Sequence, residues 1–354
     1  MEETKKKSRY GFWISTSLAI FFFLCSIALF FSLIGLIIIK GAFLPGVEEG
    51  KARALVEIVM EGTGTDKITI IPIKGVITAQ SSKKFLHAIP SVVDSVKKQL
   101  EQARDDDDVK AVILEVDSPG GGITASDIIY KAILDFKENT KKKVIVSMQD
   151  VAASGGYYIS AAADKIMSHP TTVTGSIGVI MPLINIAALV EKYGIEDTSI
   201  KSGDMKDIGS PFKKMSNEER EVLHNIVDEM YTRFLKIISE GRNMKMEDVR
   251  KLADGRIYTG SQALDNGLVD QLGYIEDAIA VAKEMAGLKE AKIIKYKKTF
   301  TLAEIFSGTM NNLFGDRIIK IDINASAIED DFPRFMYLWT GYQRNYFLKW
   351  PALN

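Results

Sequence analysis

Residues Gly11 to Ile39 run for 29 positions without a charged side chain. A helix of that length rises roughly 43 Å, more than the roughly 30 Å hydrocarbon core of a bilayer. It can cross with tilt, or leave a turn among the headgroups. A cleaved signal peptide has a shorter apolar core, about 7–15 residues, and a small-residue cleavage site. Here the run ends Ile37-Ile38-Ile39-Lys40, and the lone Cys25 follows Leu24, where a lipid-attachment site needs Gly or Ala. The sequence therefore predicts an uncleaved transmembrane helix over 11–39. Lys5, Lys6, Lys7 and Arg9 crowd its front edge. The positive-inside bias leaves residues 1–10 cytoplasmic and carries the rest outside, as a single-pass protein of the inner or plasma membrane.

Charge and residue counts remove several function classes. Lys and Arg number 45 against 46 Asp and Glu, which gives no basic field for nucleic acid. A single cysteine excludes an internal disulfide and a cysteine-based zinc site. Three scattered histidines, His87, His169 and His224, supply no metal cluster. No metal and no cofactor are expected.

Beyond the span, residues 40–66 read as a tether, rich in Gly and charge. From 67 to 298, strand and helix patterns alternate. Ala111-Val-Ile-Leu114 is a continuously apolar strand of buried type. Helical periodicity follows over Thr124–Phe136, then a strand over Val144–Met148 and a short helix over Ser154–Ala163. The alternation is expected to continue to a strand from Glu196 to Lys201. Ser216-Asn-Glu-Glu219 and Thr259-Gly-Ser-Gln262 are capping boxes that open helices. The order predicts an α/β domain with a parallel sheet and right-handed crossovers. Residues 299–354 form a tail in which eleven residues are aromatic.

Three glycine-rich turns follow strands: Asp117-Ser-Pro-Gly-Gly-Gly122, Ala152-Ala-Ser-Gly-Gly156 and Thr174-Gly-Ser-Ile-Gly178. Ligands collect at such carboxyl ends of strands, and glycines let backbone N–H groups turn toward an oxyanion. Taken alone, such a stretch is more often a plain turn, and a serine placed like Ser154 is more often a helix N-cap than a nucleophile. The phosphate-loop pattern is absent, and Gly120-Gly-Gly-Ile-Thr-Ala125 fits only a loosened dinucleotide pattern.

Taken in order, these turns resemble the signal peptide peptidase A family. Ala153-Ser-Gly-Gly-Tyr-Tyr158, Lys201-Ser-Gly-Asp-Met-Lys-Asp207, Asp254-Gly-Arg-Ile-Tyr-Thr-Gly260 and Gln262 to Asp270 are similar to its motifs as well. The resemblance covers about 67–297. It implies a Clp-protease/crotonase-like fold, a homo-oligomer, and a serine endopeptidase acting on remnant signal peptides and other hydrophobic peptides at the membrane. It implies Ser154 as nucleophile, Lys206 as general base and Ser176 as the residue that orients the lysine. Backbone N–H groups of Gly120, Gly121 and Gly155 would form the oxyanion hole. A lysine serves as base only when burial lowers its pKa, so Lys206 is expected in the substrate cleft, and Lys201 is expected as a solvated strand end or in a structural ion pair. Competing expectations are a related peptidase that cleaves one membrane-protein partner, a crotonase-like acyl-CoA protein and a non-catalytic scaffold.

Overall fold

The computed structural model describes residues 16–32, 55–84, 87–297 and 336–338. They belong to two units, Met1–Arg53 and Ala54–Asn354. In the first, residues 16–32 form helix α1. It rises roughly 25 Å, and among the described residues no helix is long and apolar enough to cross a membrane. The remainder of the expected 11–39 span lies outside the described residues.

The second unit is built on a nine-stranded sheet. Its chain order is β1 Val56–Glu61, β2 Lys67–Lys74, a β3–β4 hairpin at Ser82–Lys84 and His87–Ile89, α2 Val92–Asp105, β5 Val109–Ser118 and β6 Gly120–Gly122. Then come α3 Ile123–Thr140, β7 Lys143–Ala153, α4 Gly155–Ser160, β8 Lys165–Ser168, β9 Val173–Gly175 and α5 Ala187–Lys192. The last stretch holds α6 Asn217–Gly241, α7 Met246–Leu252, β10 Ile257–Thr259, α8 Gly260–Asp265, β11 Gln271–Leu272, α9 Ile275–Met285, β12 Lys292–Lys297 and β13 Met336–Leu338. The main sheet runs β1-β12-β2-β5-β7-β8-β11. Along this path every neighbour pair from β12 to β11 is parallel and β1 is antiparallel to β12; off the path, β9 pairs parallel with β7 and antiparallel with β10.

Strand alternation sends successive side chains to opposite faces, and β5 shows it. Val112, Leu114 and Val116 join the large core with α2, α3, α4 and α6. Ala111 and Ile113 join a second core with Ile279 and Ala282 of α9. Burial on both faces explains the unbroken apolar run, as the sequence pattern predicts. Both capping boxes form: the Ser216 Oγ accepts from Glu219 N at 3.1 Å, and the Thr259 Oγ1 accepts from Gln262 N at 3.2 Å.

Two expectations need correction. Val56–Glu61, inside the stretch 40–66 read as tether, is a sheet strand that pairs with β12. The β-branched residues Val56, Ile58 and Val59 carry the strand signal, but the partner that pairs with them lies far along the chain. The strand expected over Glu196–Lys201 does not form; the segment lacks regular structure, and Ile200 is fully exposed at 102%. Among the described residues no strand pairs with it to take its backbone hydrogen bonds.

Leu114 is fully buried on the central strand. Leu114→Ala should lower the unfolding free energy by about 2–5 kcal/mol, whereas Ser216→Ala should cost about 1 kcal/mol through the lost cap. Urea titration of the two variants checks the ranking.

Candidate active site

Ser154 occupies the corner between β7 and α4 with φ 53° and ψ −113°. Few non-glycine residues enter positive φ, at a cost of order 1–3 kcal/mol. The surroundings impose it. Ser154 N–H donates to Gly175 O at 2.7 Å, and the Ser154 carbonyl accepts from Tyr158 N at 2.8 Å. The side chain makes no capping hydrogen bond, so the plain N-cap reading fails. Ser154 is 1% exposed and sits at the start of α4. Tyr157, fully buried behind it, donates its hydroxyl to Leu268 O at 2.7 Å, and burial pushes its phenol pKa well up.

Glycines let two backbone segments close on this corner. A Cβ placed on Gly155 would lie 3.1 Å from Gly120 Cα and 3.2 Å from Gly121 N. One on Gly156 would lie 2.7 Å from Ser118 O, and one on Gly121 would overlap the Ile77 carbonyl. The glycine strand β6 thus lies directly against the serine turn. Ser118 supports it, donating its hydroxyl to Gly75 O at 2.6 Å and accepting from Gly120 N at 3.1 Å.

The hydrogen bonds also orient β6. Ile77 N donates to Gly120 O at 2.8 Å, and Gly122 N donates to Ile77 O at 2.9 Å. Gly121, between them, therefore points its own N–H and C=O to the opposite edge. That edge is occupied: β13 pairs there antiparallel, with Met336 opposite Gly122, Tyr337 opposite Gly121 and Leu338 opposite Gly120. A strand from the aromatic tail thus lies on the glycine strand beside Ser154.

Ser176 reaches the corner through β9, whose Gly175 pairs with Ala153 of β7. It has φ 49° and is 9% exposed. The later motif holds this turn in place. Ser176 N donates to Arg256 O at 2.7 Å, Gly255 N donates to Ile177 O at 3.1 Å, and β10 pairs with β9. The Tyr258 ring fills the space where a Gly175 side chain would be. Hydrogen bonding from Arg256 holds the Asp254 carboxyl down at about 2. Asp270 is gripped by Arg242 and accepts from Ile166 N at 2.7 Å.

The lysines divide differently. Lys206 stands on a short 3-10 helix, Asp204–Asp207, and is exposed. Its expected burial in the cleft is not found within one chain, because residues 194–206 are exposed throughout. Among the described residues its ammonium makes no hydrogen bond or ion pair with Ser154 or Ser176. Lys201, in contrast, pairs with Asp207 at 2.6 Å. A cleft of about 650 Å³ opens beside this turn, lined by Val190, Ile195, Lys201, Asp207, Phe212 and Lys213. Among the described residues no group of three His, Cys, Asp or Glu side chains could hold a metal ion.

The site so assembled brings Ser154, Gly155, Gly120, Gly121 and Ser176 together, with Lys206 apart. Sequence reasoning missed the tail strand and the carboxylate beside Lys206. A motif with four charges in seven residues, Lys201 to Asp207, was the available signal for the latter.

Comparison with known proteins bears on this arrangement. A family model for Clp protease matches residues 88–177, spanning the glycine strand and the serine turn. The family model described as peptidase family S49 matches residues 137–289. A protein of Enterococcus faecium named as a signal peptide peptidase SppA is 39% identical over 293 residues, covering 80% of this chain and 84% of that one. The chloroplastic serine protease SPPA of Arabidopsis thaliana is 33% identical over 263 residues, 73% of this chain and 39% of that one. Protease 4 of Salmonella typhi is 36% identical over 217 residues, 61% of this chain and 35% of that one. The extent of these matches, across the same turns that converge on Ser154, shows that the chain belongs to peptidase family S49.

Proposed function

We propose that this chain is a membrane-anchored serine endopeptidase that cuts extended hydrophobic peptides, remnant signal peptides among them, with Ser154 as nucleophile and Lys206 as base. The observation that carries this reading is the strand Met336–Leu338 lying antiparallel on Gly120–Gly122 beside a strained, uncapped serine. A groove that accepts one extended segment by main-chain pairing can accept another.

In this reading the substrate lies along β6, with one carbonyl directed at Gly121 N–H and Gly155 N–H. Ser154 Oγ attacks that carbon as Lys206 Nζ takes its proton. The negative oxygen is stabilised by the two N–H groups, aided by the start of α4. The C–N bond breaks, the amine leaves with the proton from Lys206, and water releases the acyl group by the same steps in reverse. Ser176 holds the lysine amine.

Lys206 reaches Ser154 across a contact between two copies of the chain. Support comes from its exposure and from the apolar surface around it: Ile184, Tyr193, Ile195 and Ile200 are 79%, 70%, 61% and 102% exposed. Burial of that surface in a homo-oligomer would take Lys206 out of water, the setting in which a lysine can serve as a base. The anchor over 11–39, with residues 1–10 cytoplasmic and the peptidase outside, is part of the same reading and is supported by the uncharged run and its basic front edge.

Four outcomes test it. Ser154→Ala should abolish both turnover and labelling by a fluorophosphonate. Lys206→Ala should remove nearly all turnover, whereas Lys201→Ala should keep most of it; the reverse pattern reassigns the base. Activity of the parent should rise with pH as the lysine loses its proton, and mixing inactive Ser154→Ala with inactive Lys206→Ala should restore turnover if the dyad spans two copies.

The glycine strand gives two more. Gly121→Ala forces β6 away from Ile77 and should cost roughly 100-fold or more in kcat, the scale of a lost oxyanion donor. Ending the chain before Met336 should lower KM for an added peptide several-fold, because a competing strand taxes apparent affinity. An unchanged KM would mean that the tail strand does not contest the groove in solution.

A further inference from the structure

Asp207 directly follows the lysine proposed as base, and its carboxylate is fully engaged elsewhere. Lys201 Nζ lies 2.6 Å from Oδ2, and Lys213 Nζ lies 2.5 Å from Oδ1. Lys213 also reaches Glu219 Oε1 at 2.6 Å. Glu219 is the capping-box residue of α6, where its Oε2 accepts from Ser216 N at 2.9 Å. A chain of ion pairs therefore runs from the 3-10 turn to the start of a 25-residue helix. The other end of the segment is tied as well. Ile186 N donates to Pro211 O at 2.8 Å, and Asn185 Nδ2 donates to Lys213 O at 2.6 Å.

We infer that Asp207 is the positioning residue for Lys206: by bridging Lys201 and Lys213 it fixes the turn that presents Lys206 and turns its own charge away from that lysine. The inference rests on Lys206 being the base. An unengaged carboxylate one residue away would favour the ammonium form and weaken a base. A carboxylate held between two other lysines does so far less, and cations nearby favour the neutral amine.

The clamp stays closed across the working range. Hydrogen bonds from Lys201 and then Lys213 hold the Asp207 carboxyl down at about 2. On the acid side its ion pairs are therefore complete above the ordinary carboxylate range and are lost as pH falls toward 2. The other charged groups near this turn are Asp204 on the turn itself, Glu219 from α6, and Glu191, Glu196, Asp197 and Lys214 around the cleft. None of these brings a second acid within ion-pair distance of Lys201.

The test is a pair of variants of the full chain, Asp207→Asn and Asp207→Glu, assayed on a fluorogenic hydrophobic peptide from pH 5 to 10, with Lys206→Met alongside. Asn removes the negative charge and frees both lysines. It should lower kcat at least about tenfold through misplacement of the base, with KM within a factor of about two. It should also move the acid limb of the kcat profile to lower pH, because the local field becomes more positive. Asp207→Glu keeps the charge and should recover part of kcat and the parental limb. A parental kcat in Asp207→Asn overturns the inference, as does a lowered kcat with an unmoved limb, which marks a general loss of folding. If Lys206→Met stays active, the base assignment falls and the clamp falls with it. If Lys206→Met is dead while Asp207→Asn behaves as the parent, only the clamp is lost.

Discussion

The contact on which this site depends is the close approach of Gly155 to the Gly120–Gly121 backbone and the Ser126 hydroxyl. No side chain can intervene there without moving one segment from the other. The approach sets the Ser154 corner beside the glycine strand, and the 2.7 Å bond from Ser154 N to Gly175 O then fixes the corner's twist. The parallel sheet is the frame that makes both possible. It brings the carboxyl ends of β5 and β7 side by side, so that the two glycine-rich turns leaving them meet. Helices on both faces bury the sheet and leave its strand ends as the place where main chain can be offered to a ligand.

A second layer of structure keeps the corner strained. The Asp254–Asp270 motif contributes no group to the serine; it supplies Arg256 O to Ser176 N, Tyr258 against Gly175, and β10 beside β9. Positive φ at both Ser154 and Ser176 persists because these neighbours over-determine it. The ion-pair chain from Lys201 to Glu219 does comparable work for the lysine turn, but through charge rather than through backbone pairing.

Much of this was legible beforehand where the cause is local. The apolar run Ala111–Leu114 and the capping boxes at Ser216 and Thr259 act over a few residues and form as read, whereas the glycines of 120–122, read as a turn, form strand β6. What could not be read depends on distant partners. β1 pairs with β12, and its short apolar run, Val56 to Met60, is set among the glycines and charges that read as tether. Glu196–Lys201 carries strand-like residues but has no neighbour to pair with. The strain at Ser154 leaves no mark in sequence, since serine is not the residue that positive φ favours. The exposure of Lys206 was equally hidden, because the burial of a loop residue depends on what packs over it.

The orientation of Gly121 has a consequence for what the groove can discriminate. It offers an incoming strand one N–H and one C=O, and no side chain, at the point nearest Ser154. Recognition at that point is therefore blind to the identity of the facing residue and sensitive only to its main chain. Proline is the exception, because it has no N–H to give to the Gly121 carbonyl. A segment with proline opposite Gly121 would lose half of the pairing whatever its hydrophobicity, so a single residue could shield an otherwise suitable apolar peptide.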